Sequence, residues 1–312
     1  MTTLLYSHPI CAEHDTGPGH PERAARLQAV LDALKDPVFD SLERREAPLA
    51  ERVQIERVHP AAYVDSVFAA VPASGTAYLD GDTVVSPASG EAALRAAGAV
   101  TAAVDAVMAG EGDNAFCAIR PPGHHAEPNR AMGFCVFSNA AIGALHARTV
   151  HKVHRVAVVD FDVHHGNGTQ AAFWDDPDLM LFCSHQMPLY PGSGSANERG
   201  AHGNIVNIPL APGVGSEEFR DVYRKVVIPR LRAFAPDFVI ISAGFDAHIS
   251  DPLAGLNFTE DDFAWATTEI LHVAEHAARG RVVSTLEGGY DLEGLARSVA
   301  AHVGALMDAN RL

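Results

Sequence analysis

The feature that most constrains the fold is a regular alternation between short β-rich segments and longer segments with helical periodicity. Apolar runs rich in β-branched and aromatic residues predict six strands, at Phe116–Ile119, Arg155–Val159, Leu179–Cys183, Ile205–Ile208, Phe238–Ser242 and Val282–Leu286. Helical patterns lie at Glu22–Leu34, Glu91–Met108, Asn139–Val150, Glu217–Phe234, Glu260–Ala278 and Glu293–Met307. Because such an alternation needs crossover connections, the sequence predicts an α/β fold with a mostly parallel sheet and helices on both faces.

Length and composition are compatible with one large domain. The chain has 312 residues, 47% of them hydrophobic, and no repeat, low-complexity tract or linker divides it. The longest irregular stretches, 71–89 and 187–203, are rich in Gly, Pro and Ser, but strongly apolar segments flank them. We therefore predict functional loops within a single domain that spans residues 1–312.

Charge and cysteine usage limit the partners and the compartment. The 39 acidic and 23 basic residues give a net charge of −16, whereas proteins that track nucleic-acid phosphates usually carry a basic stripe. The N-terminal segment MTTLLYSH is unlike a signal peptide, and we find no stretch close to the roughly 18 apolar residues of a transmembrane helix. The four cysteines are scattered without a C-x-x-C motif, so we expect a reduced, cytoplasmic protein with no nucleic-acid or membrane partner.

Reactive side chains follow four of the predicted strands. The segments are R-P-P-G-H-H-A (120–126), D-F-D-V-H-H-G-N-G (160–168), S-A-G-F-D-A-H (242–248) and E-G-G-Y-D (287–291). Ligands of open α/β sheets bind outside the carboxyl ends of the strands. Four such loops at one edge of one sheet therefore predict a single functional site.

The D-F-D-V-H-H segment has a geometry suited to a metal. In an extended chain Asp160, Asp162 and His164 share one side, while the apolar residues between them mark the other side as core. Asp162 and His164 can chelate one cation, and Asp246 is our choice of third ligand from a neighbouring strand. Carboxylate and imidazole ligands suit Zn²⁺, whose catalytic sites use three protein ligands. For His165 we favour a packed or hydrogen-bonded structural role.

Five motifs in one order carry a family resemblance. R-P-P-G-H-H-A (120–126), M-G-F-C (132–135), D-F-D-V-H-H-G-N-G-T-Q (160–170), S-A-G-F-D (242–246) and E-G-G-Y (287–290) resemble the zinc-dependent histone deacetylase family. The resemblance is closest to its class II and bacterial amidohydrolase-like branch, and runs from H-P-E-R (20–23) to the E-G-G-Y loop. It implies an arginase/deacetylase-like catalytic domain.

The resemblance also implies roles for individual residues. The zinc ligands would be Asp162, His164 and Asp246, and the paired active-site histidines would be His124 and His125, oriented by Asp160 and Asn167 respectively. Tyr290 would polarise the substrate carbonyl. A narrow tunnel for an acyl-lysine-like side chain would be shaped by Gly133, Phe134 and Tyr190, with Arg23 lining an internal channel for the acid product. A potassium ion near the site would be held by Asp160 and by backbone carbonyls of Asp162, His164, Cys183 and Ser184.

Amide hydrolysis explains why these residue types would be needed. We assign His125 as the general acid/base, since a histidine can take a proton from water and return it to the leaving amine. His124 would be its electrostatic partner, and Tyr290 a neutral donor to the developing oxyanion. The partner of His125 is aspartate in some branches of the family but Asn167 here. An amide can fix the imidazole tautomer without supplying charge, so the pH optimum is less predictable.

Two other motifs resemble known functional motifs, but we do not interpret them as functional sites. His272-Val-Ala-Glu-His276 matches an inverted zinc-peptidase pattern, but a neighbouring apolar stripe supplies the buried side of that helix and leaves this pair at its solvated or boundary face. The segment P-G-S-G-S (191–195) lacks the G-K-[ST] of a phosphate-binding loop, so we interpret it as a turn at the tunnel rim.

Three functional hypotheses follow. The first is a zinc amidohydrolase that deacylates an amine, either acyl-lysine in a peptide or protein or an acylated polyamine. The acetylpolyamine branch of the family carries a long insertion before its R-P-P-G-H-H motif, and the absence of such an insertion between Tyr63 and Arg120 favours a class II-like deacylase with a more open rim. The second is an arginase-like two-metal hydrolase, and the third is a non-catalytic binder of acylated ligands. The oligomeric state stays open.

Overall fold

Strands and helices alternate along the chain in the computed structural model, which describes residues 2–308. The strands are β1 (Thr3–Ser7), β2 (Glu43–Glu46), β3 (Ala77–Tyr78), β4 (Val84–Val85), β5 (Asn114–Cys117), β6 (Val156–Asp160), β7 (Leu179–Gln186), β8 (Ile205–Leu210), β9 (Phe238–Ala243) and β10 (Val282–Leu286). The α-helices are α1 (Ile10–Glu13), α2 (Ala24–Ala33), α3 (Arg52–Ile55), α4 (Ala61–Ala70), α5 (Ser89–Ala109), α6 (Asn139–His151), α7 (Asn167–Phe173), α8 (Ser216–Val222), α9 (Ile228–Phe234), α10 (Glu260–Ala277) and α11 (Leu292–Met307). A 3₁₀ turn lies at Pro37–Phe39 and a π-helical segment at Tyr223–Val227.

Eight strands form one sheet in the order β2-β1-β5-β10-β9-β6-β7-β8. All its strand pairs are parallel, while β3 and β4 form a separate antiparallel pair. The predicted parallel sheet is therefore confirmed, and all six predicted strands are present with small shifts at their ends. The sequence analysis missed β1 and β2. The edge strand β2 consists of the four charged residues E-R-R-E, which give no apolar alternation to detect.

Helices cover both faces of the sheet, as predicted. On one face α2, α8, α9, α10 and α11 enclose a core that includes Phe161 and Val163, the apolar residues of the D-F-D-V-H-H segment. On the other face α5, α6 and α7 enclose a second core built largely from alanine and valine. The described residues thus form a single three-layer domain.

Helix α5 contradicts the sequence-based expectation that no stretch is as long and apolar as a transmembrane helix. It is long and apolar enough to cross a membrane by length and composition, with a mean hydropathy of 1.4 in its most apolar window. However, 67% of that window is buried inside the protein, against α6 and the sheet. Burial between two layers accounts for its composition, because a helix that is covered on most sides can be apolar all round.

The predicted helix Glu217–Phe234 is divided. The structure has α8, then the π-helical segment Tyr223–Val227, then α9. Pro229 has no N–H to donate to the carbonyl of Lys225, four residues earlier, so the regular hydrogen-bond pattern cannot continue there.

Helix α2 begins later than predicted, and a buried ion cluster lies at its start. The prediction placed Glu22 in the helix, but Glu22 precedes α2 and is completely buried together with Arg26 and Arg120. Its Oε2 accepts a hydrogen bond from Arg120 Nη2 at 2.7 Å, and its Oε1 accepts one from Arg26 Nη1 at 3.0 Å. Burial alone would raise the pKa of Glu22, but the two guanidinium groups, Arg120 foremost, lower it to about 2.

We expect Glu22→Gln to lower the free energy of unfolding by about 3–5 kcal/mol, because a neutral amide leaves two buried guanidinium groups without a counter-charge. The wild-type contribution should be complete above about pH 4.5, the usual pKa of a glutamate, and be lost as the pH falls toward 2. Urea unfolding at several pH values would measure it, with the exposed Glu218→Gln as control. A loss at pH 7 no larger than that of the control would contradict this prediction.

His272 and His276 lie at the solvated or boundary face of α10, as the sequence predicted. His276 is exposed and His272 is half-buried, whereas Phe263, Ile270 and Ala274 on the same helix are buried in the core. His276 Nδ1 lies 2.8 Å from the carbonyl oxygen of His272, a contact within the helix. A surface groove beside them is lined by Arg232 as well, and a cationic neighbour disfavours a metal there.

We expect the double variant His272→Ala/His276→Ala to keep its metal content and nearly all of its turnover. Metal content by atomic absorption and kcat would be compared with those of the wild-type protein. Loss of metal from a variant that keeps its circular dichroism spectrum would instead indicate a peptidase-like site on α10.

Candidate metal centre and active site

The four loops that the sequence analysis singled out meet at one place. They follow β5, β10, β9 and β6, which are consecutive neighbours in the middle of the sheet. Since the strands are parallel, all four loops leave the same edge, where side chains from distant parts of the chain converge.

Asp162, His164 and Asp246 form a metal-binding cluster at this edge. Their potential ligand atoms lie within 4.8 Å of one another, and all three residues are buried. His164 Nδ1 is 3.1 Å from Asp162 Oδ1 and 3.1 Å from Asp246 Oδ2. Two buried carboxylates and one imidazole are a donor set that fits Zn²⁺, and their desolvated negative charge calls for a cation.

Backbone groups fix the two carboxylate ligands in place. Asp246 Oδ1 accepts a hydrogen bond from Val163 N at 2.9 Å, and Asp162 Oδ2 accepts one from Gly288 N at 2.8 Å. A Cβ atom on Gly288 would collide with both carboxylates, and one on Gly244 would collide with Asp162. These glycines of the E-G-G-Y and S-A-G-F-D motifs therefore allow the backbone to approach the ligands.

His124 is paired with a carboxylate, as the resemblance implied. Its Nδ1 lies 3.0 Å from Asp160 Oδ2, and both side chains are almost completely buried. Burial alone would lower the pKa of His124, but the negative charges of Asp162 and Asp160 raise it well above the usual value. His124 is therefore suited to carry a positive charge beside the cluster.

His125 is held by Asn167 and has the opposite electrostatic character. Its Nδ1 is 2.9 Å from Asn167 Oδ1, and its ring lies 4.0 Å from that of His124 between centroids. Burial, together with the positive charge on His124, lowers the pKa of His125 well below the usual value. His125 is therefore suited to be a neutral base.

The loop that carries Tyr290 is anchored from two sides. Tyr290 N donates a hydrogen bond to Asp251 Oδ2 at 2.7 Å, and the guanidinium carbon of Arg26 lies 4.8 Å from the centre of the phenol ring. Burial raises the pKa of the Tyr290 hydroxyl well above 10 despite the nearby Arg26. The hydroxyl is therefore a neutral donor at physiological pH.

A cavity of about 250 Å³ opens beside the cluster. The residues that line it are Asp82, His125, Gly133, Phe134, His164, Leu189, Tyr190, Leu253 and Tyr290. The tunnel residues Gly133, Phe134 and Tyr190 thus lie where the resemblance implied, whereas Asp82, Leu189 and Leu253 were missed. Gly133 and Phe134 both have positive φ, at 57° and 70°, and their backbone N–H groups bond to the Asp82 carboxylate and the Thr83 hydroxyl.

The implied role of Arg23 does not fit the structure. Arg23 is the N-cap residue of α2 and is exposed, so it does not line an internal channel. The buried arginine of this segment is Arg26, almost one helical turn later, which donates to the carbonyl oxygen of Gly289 at 2.5 Å and to that of Glu287 at 2.6 Å. Arg23 has the extended backbone of an N-cap residue and stands outside the first helical turn, whereas Arg26 lies within that turn, so the two side chains leave the backbone in different directions.

Glu287 is a site residue to which the sequence analysis gave no role. Its Oε2 accepts hydrogen bonds from Gly123 N at 2.7 Å and His124 N at 3.1 Å, so it connects the E-G-G-Y loop to the paired histidines. Burial raises its pKa to about 7, although the nearby His124 opposes this shift. The signal in the sequence that could have identified Glu287 is a carboxylate directly after an apolar strand.

His165 is buried in a network at the cavity rim. Its Nδ1 lies 2.9 Å from Ser193 Oγ and its Nε2 lies 2.9 Å from Gln170 Oε1. These bonds match the hydrogen-bonded role predicted for His165. They tie the P-G-S-G-S segment to the body of the protein, next to the cavity residue Tyr190.

A second group of potential ligands, Asp105, His146 and His151, lies on α5 and α6. His146 Nε2 and His151 Nε2 each lie 2.6 Å from Asp105 Oδ1. However, Arg57 Nη1 donates to His146 Nδ1 at 2.7 Å, which leaves the proton of a neutral His146 on Nε2. The lone pair that a metal needs is then absent, so this group is a hydrogen-bond network.

Comparison with known proteins identifies the family of this chain. Residues 20–306 match the family described as the histone deacetylase domain. The chain is 39% identical to the chloroplastic histone deacetylase 14 of Arabidopsis thaliana, over 99% of this chain and 78% of that protein. It is 38% identical to the histone deacetylase-like amidohydrolase of Pseudomonas aeruginosa, over 92% of this chain and 81% of that protein.

A solved structure extends the likeness to the fold. The crystal structure of the HDA15 HD domain superposes with a TM-score of 0.94 at 33% identity, covering 99% of this chain and 90% of that chain. The family is generally zinc-dependent, and the buried Asp-His-Asp cluster fits that metal. This chain belongs to the histone deacetylase family and is a hydrolase that acts on amides.

Proposed function

We propose that this protein is a zinc-dependent deacylase that removes an acetyl or similar acyl group from an amine such as the side chain of acyl-lysine. The observation that carries the proposal is that His125, His164 and Tyr290 all line one cavity. Zinc bound by Asp162, His164 and Asp246 would supply Lewis-acid activation of the carbonyl group and of water.

The protein's own residues supply the proton transfers. Asn167 accepts the Nδ1 proton of His125, so the Nε2 lone pair of His125 is free to take a proton from water. The same nitrogen can then return that proton to the leaving amine. The cationic His124 stabilises negative charge that develops during the reaction, since Asp160 and Asp162 keep its pKa high.

Tyr290 supplies the hydrogen bond to the oxyanion. It lines the cavity together with His125 and His164, and its hydroxyl stays protonated because burial raises its pKa. Anchoring of its backbone by Asp251 limits the reorganisation needed when the substrate binds.

The cavity walls favour acyl-lysine over an acylated polyamine. Phe134, Leu189 and Leu253 give the cavity an apolar surface, which suits the uncharged methylene chain of lysine. A polyamine carries several ammonium groups that need carboxylates, and Asp82 is the one carboxylate in the lining as the structure describes it. Its Oδ1 already accepts the N–H of Gly133.

A substrate panel tests this proposal directly. Acetyl-lysine peptides, lysine peptides with longer acyl chains and acetylated polyamines would be compared by kcat/KM with the zinc-loaded protein. We expect an acyl-lysine peptide to give the highest value. Preference for a polyamine would overturn the substrate assignment, and no turnover of any amide would support a non-catalytic binder.

The arginase-like hypothesis has little support from the residues at hand. His248, two positions after Asp246, lies with its Nε2 3.3 Å from Glu260 Oε2 and contributes nothing to the metal cluster. We therefore propose one zinc ion per chain.

We further propose a potassium site and a reducing compartment. The pairing of Asp160 with Cys183 across β6 and β7 supports the potassium site, because it makes the candidate ligands Asp160, Cys183 and Ser184 neighbours in the sheet.

All four cysteines are buried free thiols, which supports the proposed cytoplasmic location.

We expect Asp246→Ala to bind zinc at least about tenfold more weakly and to lose most of its activity, because it removes one of three ligands. Metal content after dialysis and competition with a chelating dye would measure the affinity. Asp237→Ala is the matched control, since Asp237 precedes the same strand and accepts the N–H of Arg155 at the opposite edge of the sheet. Equal zinc affinity in the two variants would remove Asp246 from the ligand set.

We expect Tyr290→Phe to lower kcat by about 10²-fold, or about 2.7 kcal/mol, with KM nearly unchanged and zinc retained. The ring and its packing stay, and only the donor to the oxyanion is lost. Tyr63→Phe is a control that removes a buried hydroxyl elsewhere, one that donates to the carbonyl oxygen of Val136. If kcat of Tyr290→Phe equalled that of the wild type, Tyr290 would be only a wall of the cavity.

A further inference from the structure

The orientation of the Asn167 amide decides which nitrogen of His125 is free. An asparagine side chain can present either its oxygen or its NH₂ group to a histidine. If the oxygen faces His125 Nδ1, that nitrogen carries the proton and Nε2 keeps its lone pair. If the NH₂ group faces it, Nδ1 must accept and the proton moves to Nε2, where it blocks general-base catalysis.

Glu127 breaks this ambiguity in the structure. The Asn167 Nδ2 atom lies 2.9 Å from Glu127 Oε1 and 3.3 Å from Met132 Sδ. A carboxylate and a thioether can only accept hydrogen bonds, so the NH₂ group must point toward them. Asn167 Oδ1 is therefore left to accept the proton of His125 Nδ1 at 2.9 Å.

The position of Glu127 is itself fixed. Its backbone N–H and carbonyl form reciprocal hydrogen bonds with Arg130 at 3.0 and 3.2 Å, which close a tight turn. His59, which is buried, contacts the carbonyl oxygen of Pro128 in this turn at 3.0 Å. The side chain of Glu127 is half-buried, and that of Asn167 is almost completely buried.

We propose that Glu127 is a positioning residue that sets the catalytic tautomer of His125 through the amide of Asn167. The inference rests on the proposed function, in which His125 is the general base. It adds a specific rule for this chain: the group at position 127 must accept when position 167 is an amide, and must donate when position 167 is a carboxylate.

The rule defines three variants with different expected outcomes. Glu127→Lys places a donor against Asn167, turns the amide round and should lower kcat at least about tenfold, since a wrong catalytic tautomer can cost about 10⁴-fold in a serine protease. Glu127→Lys/Asn167→Asp should recover most of that loss, because the new carboxylate accepts from both neighbours. Glu127→Gln can still accept through its oxygen and should stay within roughly threefold of the wild type.

Recovery in the double variant separates positioning from a general structural role, because a merely destabilised protein would lose more activity with a second change. The exposed Glu218→Lys controls for the change in net charge. If Glu127→Lys fails to fold, Glu127→Ala replaces it, and its kcat should fall while KM changes little. Wild-type kcat in the folded Glu127→Lys or Glu127→Ala protein would overturn the proposal, as would the absence of recovery in the folded double variant.

Nitrogen NMR tests the tautomer without any substrate. In the zinc-loaded protein labelled with ¹⁵N-histidine, the His125 signals would be assigned by comparison with His125→Gln. We expect the proton on Nδ1 in the wild type and on Nε2 in Glu127→Lys. An unchanged tautomer would refute the role of Glu127. Because this measurement needs no turnover, a failure of the proposed substrate assignment would leave it interpretable.

Discussion

The site depends on the burial of several carboxylates within a few ångströms of one another. Asp160, Asp162 and Asp246 are completely buried at one edge of the sheet, where charge without compensation would be very costly. Hydrogen bonds from two histidines and several backbone N–H groups offset part of that cost. A cation bound between the carboxylates would offset more of it. The glycines of the neighbouring loops serve the same purpose, because they let the backbone come close enough to donate.

Each reactive residue is held by a hydrogen bond to a specific acceptor. Asp160 holds His124, Asn167 holds His125 and Asp251 holds the backbone of Tyr290. Opposite surroundings give the two adjacent histidines opposite pKa shifts, with His124 raised and His125 lowered. Two similar residues can therefore take different roles, because a neutral imidazole has a nitrogen lone pair that can accept a proton and a protonated imidazole has none.

The fold fixes the relative positions of these side chains, because rigid strands hold the loops that carry them. The four loops of the site follow four adjacent parallel strands, and helices cover both faces of the sheet. The rim of the cavity is different, since Tyr190 lies on a long loop that side-chain hydrogen bonds such as that of His165 tie to the core. Differences in substrate choice within such a fold are therefore easiest to accommodate at the rim.

The sequence by itself determined the parallel α/β fold and the zinc-ligand candidates, because apolar periodicity and strand-end position are local properties. The family motifs added the paired histidines and Tyr290. Only the tertiary structure showed that Arg26 rather than Arg23 is buried, and that the Asn167 amide donates to Glu127. Both depend on contacts between segments far apart in the chain. Hydrogen-bond polarity and burial are properties of such contacts, and no local pattern encodes them.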